Sequence, residues 1–337
     1  MSAGRPEPEE GRWRGEGVRI EQVGGELDRL HRHHQREDGG HALTRTLNLI
    51  VAPSSPDADA AIDGALAGLG AHSPSRTLIL RRHEADRLDA EASLECRFSD
   101  AAGRVGVCHE VVALSADEGR LAHAASLVAP LLLADLPTVL WLPEPGSPIP
   151  DPRLLERSQQ VLVDSTNDGV PLQRLLELAL VAPVHDLAWG RLEFWRAVTA
   201  AAFERPEPRR LLPRITGLEV VHEGETQSAA LLLAGWVTAR AGWRAGRIEG
   251  DDGRASGTAT RPDGGVVALS LSRNPRARGC GGVESLTLRA GPDEIRVARG
   301  AATSRLRDVF AEALQPLPSY GHGYLDALGA ATAMLGG

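Results

Sequence analysis

Strand-like apolar segments alternate with helical segments along the first half of this chain, and this alternation limits the fold more than any other feature of the sequence. Strand patterns occur at 45–52, 76–81, 138–142 and 161–164. Helical patterns occur at 20–33, 59–69, 121–133 and 152–159. Strands that are separated by helices usually pair in parallel and are covered on both faces. We therefore predict an α/β domain with a mostly parallel sheet, to which a hairpin at 94–99 and 105–114 adds an antiparallel portion.

The register of that hairpin bears on the cysteines. In the predicted register Cys96 faces Val107, and apolar side chains share one face of the sheet. A slip by one residue would pair Cys96 with Cys108, but it would also set Leu94 against the carboxylate of Glu110. We therefore expect the first register and reduced thiols.

The second half of the chain begins with helical patterns over 171–203, with breaks at Pro183 and Gly190. Three prolines then make 206–213 the predicted linker. Beyond it, strands are predicted at 215–222, 254–260, 266–272, 283–289 and 294–298, and helices at 228–241, 304–314 and 324–335. The predicted organisation is a disordered tail at 1–15, an α/β domain at 16–205, a linker at 206–213 and a smaller α+β domain at 214–337.

Composition excludes several classes of function. The 37 basic residues are all arginine, so the chain has no lysine for a Schiff base or for a phosphate-binding loop. A net charge of −8 disfavours binding to nucleic acid or to an anionic membrane. The three cysteines show no C-x-x-C spacing, and the N-terminal residues are polar and acidic. We expect a cytoplasmic protein that binds neither nucleic acid nor membrane.

Catalytic and metal-binding motifs are absent from the sequence. None of the three His-Glu pairs has histidine at the position that an H-E-x-x-H zinc helix requires. The glycine clusters lack the third glycine of the dinucleotide-binding motif, and no G-x-S-x-G motif occurs. The cluster of His31, His33 and His34 is interpreted as a solvated helix face rather than a metal site. We predict no catalytic residue, no metal and no cofactor.

Arginines form two local clusters, at Arg205, Arg209, Arg210 and Arg214 and at Arg273, Arg276 and Arg278. Their guanidinium groups suit phosphate or carboxylate recognition, and a solvated loop is the alternative interpretation.

Most of the tryptophans lie in short blocks. Trp236 and Trp243 are seven residues apart and Trp141 ends an apolar strand, so core packing is predicted for all three. Residues 186–196 differ because they mix tryptophan with charged side chains. This segment is the predicted partner surface, with packing between domains as the alternative. Its proposed contact residues are Asp186, Trp189, Arg191, Trp195 and Arg196.

Six blocks, in the same order, resemble the OpcA family of glucose-6-phosphate dehydrogenase assembly proteins. The blocks are Arg45–Leu49, His72–Arg76, Leu133–Trp141, Val163–Ser165, Asp186–Arg196 and Leu233–Trp236. The resemblance spans about residues 40 to 245. It implies a non-catalytic partner that binds glucose-6-phosphate dehydrogenase and promotes its active oligomer, which would support NADPH production in the oxidative pentose phosphate pathway.

Two classes of function remain open from the sequence. One is this accessory role. The other is an enzyme that binds a sugar phosphate or a nucleotide in a site assembled from distant loops. A deep pocket lined by convergent polar groups, or turnover by the isolated protein, would favour the enzyme.

Overall fold

The structure is a computed structural model, and the ranges it describes are 11–37, 45–53, 55, 62–66, 75–98, 106–144, 148–166, 170–224, 226–251, 253–275, 282–298 and 322–336. These residues form two compact units. Those up to Leu162 belong to the first and those from Val163 onwards to the second. This boundary differs from the predicted linker at 206–213. Among the described residues, no helix combines the length and the apolar character that crossing a membrane requires.

The first unit is built on a mixed sheet, as the alternation predicted. Its strands are β1 (Arg12–Gly15), β2 (Leu47–Val51), β3 (Ser75–Arg82), β4 (Asp89–Phe98), β5 (Gly106–Ala116), β6 (Thr138–Trp141) and β7 (Gln160–Val163), and the unit boundary falls within β7. The order is β1-β4-β5-β3-β2-β6-β7. Strands β5, β3, β2, β6 and β7 run parallel, and β4 is antiparallel to β5 and to β1. All five residues of β2 are buried, as expected for a central strand covered on both faces.

The helices of the first unit are mostly short. They are α1 (Ile20–Glu37), a helical segment at 62–66, α2 (Glu118–Leu121), α3 (Ala124–Val128), a 3-10 turn (Ala129–Leu131) and α4 (Arg153–Arg157). Helix α1 buries Val23, Leu27 and Leu30, three of the four apolar positions whose spacing predicted it, and the fourth, Ile20, is half-buried. The predicted helix at 121–133 is wrong, since separate short helices replace it. Strand β1 also corrects the predicted disordered tail at residues 12–15.

The predicted hairpin register is wrong. Strands β4 and β5 pair Cys96 with Cys108 and Leu94 with Glu110, so the rejected one-residue slip is the observed register. Glu110 is tolerated opposite Leu94 because its carboxylate is buried among cationic side chains. The side chains of Cys96 and Cys108 lie outside the described residues. The expectation of reduced thiols therefore stays a prediction without its original basis.

The second unit combines a second sheet with helices. The strands of this unit are β8 (Val184–Asp186), β9 (Gly217–His222), β10 (Arg244–Gly250), β11 (Arg254–Thr260), β12 (Val266–Arg273), β13 (Val283–Ala290) and β14 (Asp293–Ala298), and all but β8 form this sheet. The sheet order is β10-β11-β12-β9-β13-β14. Strand β9 is parallel to β12 and antiparallel to β13, and the remaining pairs are antiparallel. A mostly antiparallel sheet with helices fits the predicted α+β class, although β10 was not predicted.

Helices of the second unit correct two expectations. They are α5 (Leu172–Val181), α6 (Leu187–Arg191), α7 (Glu193–Ala202), α8 (Pro206–Leu211), a 3-10 turn (Leu212–Arg214), α9 (Ser228–Arg240) and α10 (His322–Met334). The predicted helical segment 171–203 is interrupted by strand β8, and its second break falls at Leu192 rather than at Gly190. The predicted linker is helical because Pro206 stands in the first turn of α8, where its fixed φ and missing N–H are tolerated. The predicted helix at 304–314 lies outside the described residues.

Helix α9 lies at the centre of the second unit. Nearly all of its residues are buried, which agrees with its apolar sequence on every side. It packs closely against α10 at Gly235, where an added Cβ would lie 2.3 Å from the carbonyl oxygen of Ala327. This close approach requires glycine.

Candidate functional site

The predicted partner segment begins with a buried carboxylate. Asp186 ends strand β8 and caps helix α6, where it accepts hydrogen bonds from the backbone N–H of Ala188 at 2.9 Å and of Ser165 at 3.0 Å. The Tyr324 hydroxyl donates to the second carboxylate oxygen at 3.1 Å. Burial raises the pKa of Asp186, and the nearby charge of Asp164 acts in the same direction. Asp186 therefore joins three separate parts of the chain inside the second unit.

Arg191 forms an ion pair with a second carboxylate, that of Asp164. Its Nη2 lies 2.6 Å from an oxygen of Asp164 and 2.7 Å from the hydroxyl oxygen of Thr166. Thr166 in turn donates to the same oxygen of Asp164 through its hydroxyl at 2.6 Å. The side chains of Arg191 and Asp164 are only 13% and 11% exposed, so the pair is shielded from solvent. A partner molecule would have to compete with these internal bonds in order to use Arg191.

Trp189 is packed between an aromatic ring and a cation. Its ring centroid lies 5.5 Å from that of Tyr324, with the planes inclined by 57°. The guanidinium carbon of Arg196 lies 3.7 Å from the Trp189 ring centroid, and Arg196 also donates to the Trp189 carbonyl at 2.5 Å. This is a cation–π contact supported by a hydrogen bond. Trp189 is 4% exposed, so its role in the isolated chain is packing.

Helix α7 presents two different faces. Trp195 and Thr199 lie on its buried face, and Trp195 is 4% exposed. Phe194 and Val198 lie on an adjacent face and are 51% and 37% exposed. The ring of Phe194 meets Trp195 edge to face at 5.8 Å. Sequence reasoning selected the tryptophan and missed the exposed pair, although their spacing of four residues marks a common helix face.

The structure thus brings the five predicted residues into one region of the second unit. Asp186, Trp189 and Trp195 are buried, and Arg191 and Arg196 have internal partners. Their use in binding a partner stays a prediction.

A second polar cluster, in the first unit, was not predicted. It corrects the interpretation of His31 as part of a solvated helix face, since the His31 side chain is only 12% exposed and contacts Glu110. Glu110 on β5 has a side chain that is 1% exposed, and three cationic or ionisable groups surround it. Arg76 Nε lies 2.6 Å from one carboxylate oxygen, and His31 Nε2 lies 2.9 Å from the other, which Arg45 also contacts. Arg76 further donates to the carbonyl of Leu131 at 2.8 Å. The cluster joins α1, the approach to β2, and strands β3 and β5.

The electrostatics of Glu110 follow from these neighbours. Burial by itself raises the pKa of this carboxyl group. The hydrogen bond from His31 and the charges of Arg76, His31 and Arg45 outweigh burial and lower the pKa to about 2. Glu110 is therefore ionised at neutral pH and holds the cationic groups in place.

The described members of the two arginine clusters do not converge on a common site. Arg205, Arg209, Arg210 and Arg214 are exposed around helix α8, in agreement with a solvated surface, and the phosphate-binding interpretation is untested. In the second cluster only Arg273 lies among the described residues. Within the described ranges, no group of three or more His, Cys, Asp or Glu side chains is arranged to hold a metal ion.

Two family models match this chain. A model described as the glucose-6-phosphate dehydrogenase subunit N-terminal domain matches residues 68–180, and one described as the C-terminal domain of the same subunit matches residues 182–318. The junction near residue 181 lies closer to the boundary of the two compact units than to the predicted linker.

Curated relatives carry the name OxPP cycle protein OpcA. One from Nostoc punctiforme is 27% identical over 251 residues, which cover 68% of this chain and 54% of the relative. Another from Synechocystis is 29% identical over 211 residues, which cover 60% of this chain and 44% of the relative. The chain thus spans about half the length of these relatives.

The solved structures that match this chain are more distant. KijD10, a 3-ketoreductase from Actinomadura kijaniata, is 12% identical with a TM-score of 0.45, and the match covers 87% of this chain and 96% of that protein. Myo-inositol 2-dehydrogenase from Lactobacillus plantarum is 9% identical with a TM-score of 0.44, covering 87% of this chain and 98% of that protein. TM-scores below 0.5 carry no argument about the fold or the chemistry of this chain. The two family models together match residues 68–180 and 182–318, which make up well over half of the 337-residue chain. The chain therefore belongs to the OpcA family.

Proposed function

We propose that this chain is a non-catalytic, cytoplasmic accessory protein that binds glucose-6-phosphate dehydrogenase and promotes assembly of its active oligomer. The observation that carries the proposal is the match of both family domains, each described as part of a glucose-6-phosphate dehydrogenase subunit. The name of the curated relatives places them in the oxidative pentose phosphate cycle, which is the pathway of that enzyme.

The internal bonds of Asp186 and of the Arg191–Asp164 pair support this proposal over the enzyme alternative. Asp186 is fully buried and its carboxylate is occupied by two backbone N–H groups and one hydroxyl. Arg191 and Asp164 are likewise bonded to each other. A catalytic acid, base or cation needs access to a substrate. Groups bound in this way stabilise the second unit rather than meet a ligand.

The partner surface is proposed at the segment Asp186–Arg196 and the helix that continues it. Trp189 and Trp195 fix the position of α7 from inside, and the face of α7 with Phe194 and Val198 is open to solvent. An aromatic side chain that is half exposed is a suitable anchor for a protein interface.

Activation by binding has a simple energetic form. A ligand shifts an equilibrium between inactive and active forms only by the difference in its affinity for them. A tenfold preference for the active oligomer corresponds to about 1.4 kcal/mol. The accessory protein therefore needs only a modest preference in order to change the active fraction.

The test is a kinetic assay of the cognate dehydrogenase with and without this chain, combined with size-exclusion chromatography of the mixture. We expect co-elution and a saturable rise in kcat or fall in KM at about 10 μM protein. Absence of both effects would refute the proposal, and turnover of a sugar phosphate by the isolated chain would establish the enzyme alternative instead.

A matched pair of variants tests the surface. Phe194→Asp should weaken activation about tenfold or more without lowering the melting temperature, because the side chain is exposed. Leu180→Asp changes an exposed apolar residue on helix α5 and serves as the control. Equal activation by the two variants would remove α7 from the interface.

A further inference from the structure

An apolar cavity of about 170 Å³ lies in the second unit, between helices α7 and α9 and strand β13. Its walls include Phe203, Ile215, Trp236, Val237, Trp243 and Leu288. Trp236 is half-buried, and Trp243 is 7% exposed. A core cavity of about 150 Å³ is large enough to bind benzene. The cavity therefore has room for one aromatic ring and is too small for a long alkyl chain.

Two polar groups also line this cavity. Thr199 is 3% exposed, and its hydroxyl oxygen is buried without a hydrogen-bond partner among the described residues. A buried hydroxyl without a partner is unfavourable and is relieved by a ligand that offers one. Arg240 lies in the last turn of α9 with an exposed side chain. No carboxylate of the described part of the chain pairs with it, so its guanidinium group is available to an anion.

We propose that this cavity binds a small aromatic carboxylate, with the ring between Trp236 and Trp243 and the carboxylate at Arg240. The apolar walls and the indole rings favour the ring, and the unpaired cation favours the negative charge. This binding site is independent of the proposed role in dehydrogenase assembly, since it needs only the second unit and a free ligand.

The test is isothermal titration calorimetry of the full chain with phenylacetate. Toluene serves as the uncharged probe of similar shape. For a ligand of this size we expect a Kd on the order of 1 mM or tighter. Arg240→Gln should weaken phenylacetate binding about fivefold or more while changing toluene binding less than about twofold. Ala200→Leu, which adds volume at the cavity wall, should weaken both ligands.

Arg210→Gln is the matched control, because this arginine is exposed at helix α8 and does not line the cavity. It should leave both affinities unchanged. Melting temperatures of all variants show whether each is folded, and the exposed position of Arg240 makes its replacement structurally mild. The proposal is overturned by no saturable phenylacetate binding up to about 10 mM, by equal loss in the two arginine variants, or by binding that Ala200→Leu does not affect.

Discussion

Replacement of Glu110 by glutamine removes one negative charge from the buried cluster and leaves its cationic groups without a counter-ion. The hydrogen bond from His31 and the neighbouring cationic charges lower the pKa of Glu110 from 4.5 to about 2 in the folded chain. A pKa difference of one unit between the folded and unfolded chain corresponds to 1.36 kcal/mol, so ionised Glu110 contributes about 3 kcal/mol of stability at neutral pH. The side chain is 1% exposed, so solvent screens this contribution little. Removal of one partner from a buried ion pair typically costs about 3–5 kcal/mol, which agrees in magnitude.

The pH dependence has a definite sign. A carboxyl group whose pKa is lower in the folded state stabilises the fold above its unfolded pKa, near 4.5. This stability is lost as pH falls from there towards about 2. The difference in unfolding free energy between the parent protein and Glu110→Gln should therefore be fully present at pH 6. It should shrink by about 1.4 kcal/mol at pH 3.5, since glutamine does not titrate.

Urea unfolding followed by circular dichroism and tryptophan fluorescence measures both effects. Glu91→Gln is the control, because Glu91 pairs with Arg14 at 3.2 Å on the same sheet but is 53% exposed. An exposed pair of this kind contributes about 0–1 kcal/mol. A stability cost of Glu110→Gln no greater than that of the control, or one that is the same at pH 6 and pH 3.5, would contradict this role of Glu110.

Four further substitutions probe the second unit. Trp195→Ala should destabilise the isolated chain by about 3–5 kcal/mol because the ring is buried, and Arg196→Ala should have a smaller effect. Normal stability of Trp195→Ala in thermal unfolding would contradict the packing described. Gly235→Ala should lower the melting temperature strongly, since its Cβ would lie 2.3 Å from a backbone oxygen of α10, and an unchanged melting temperature would show that the helices separate at little cost. Tyr324→Phe removes the hydroxyl that donates to Asp186, so its free energy of unfolding in chemical denaturation should fall by about 1–3 kcal/mol. An unchanged free energy of unfolding would indicate that water replaces this hydrogen bond.

Local patterns were sufficient for much of the fold. Strands β2, β3 and β6 and helix α1 lie close to their predicted positions. The spacing of apolar residues along the sequence indicates which helix face, or which whole strand, is buried. The family blocks were also readable from the sequence, since they depend on residue order alone.

Other features depend on residues that are distant in sequence. The register of β4 and β5 was mispredicted because the partners that make a buried Glu110 acceptable come from α1, the approach to β2, and β3. The short strand β8 was hidden within a helical pattern, because three residues carry too little periodicity to be recognised.

The candidate site shows the same division. The sequence alone determined the residues of the segment Asp186–Arg196 and the capping role of Asp186, because a carboxylate at a helix start bonds to its own backbone. Only the tertiary structure decided that Trp195 points inwards while Phe194 is exposed, since helical periodicity defines faces but not which face another element covers. The cavity beside Trp236 likewise arises from side chains of separate elements, and no local pattern encodes a space between them.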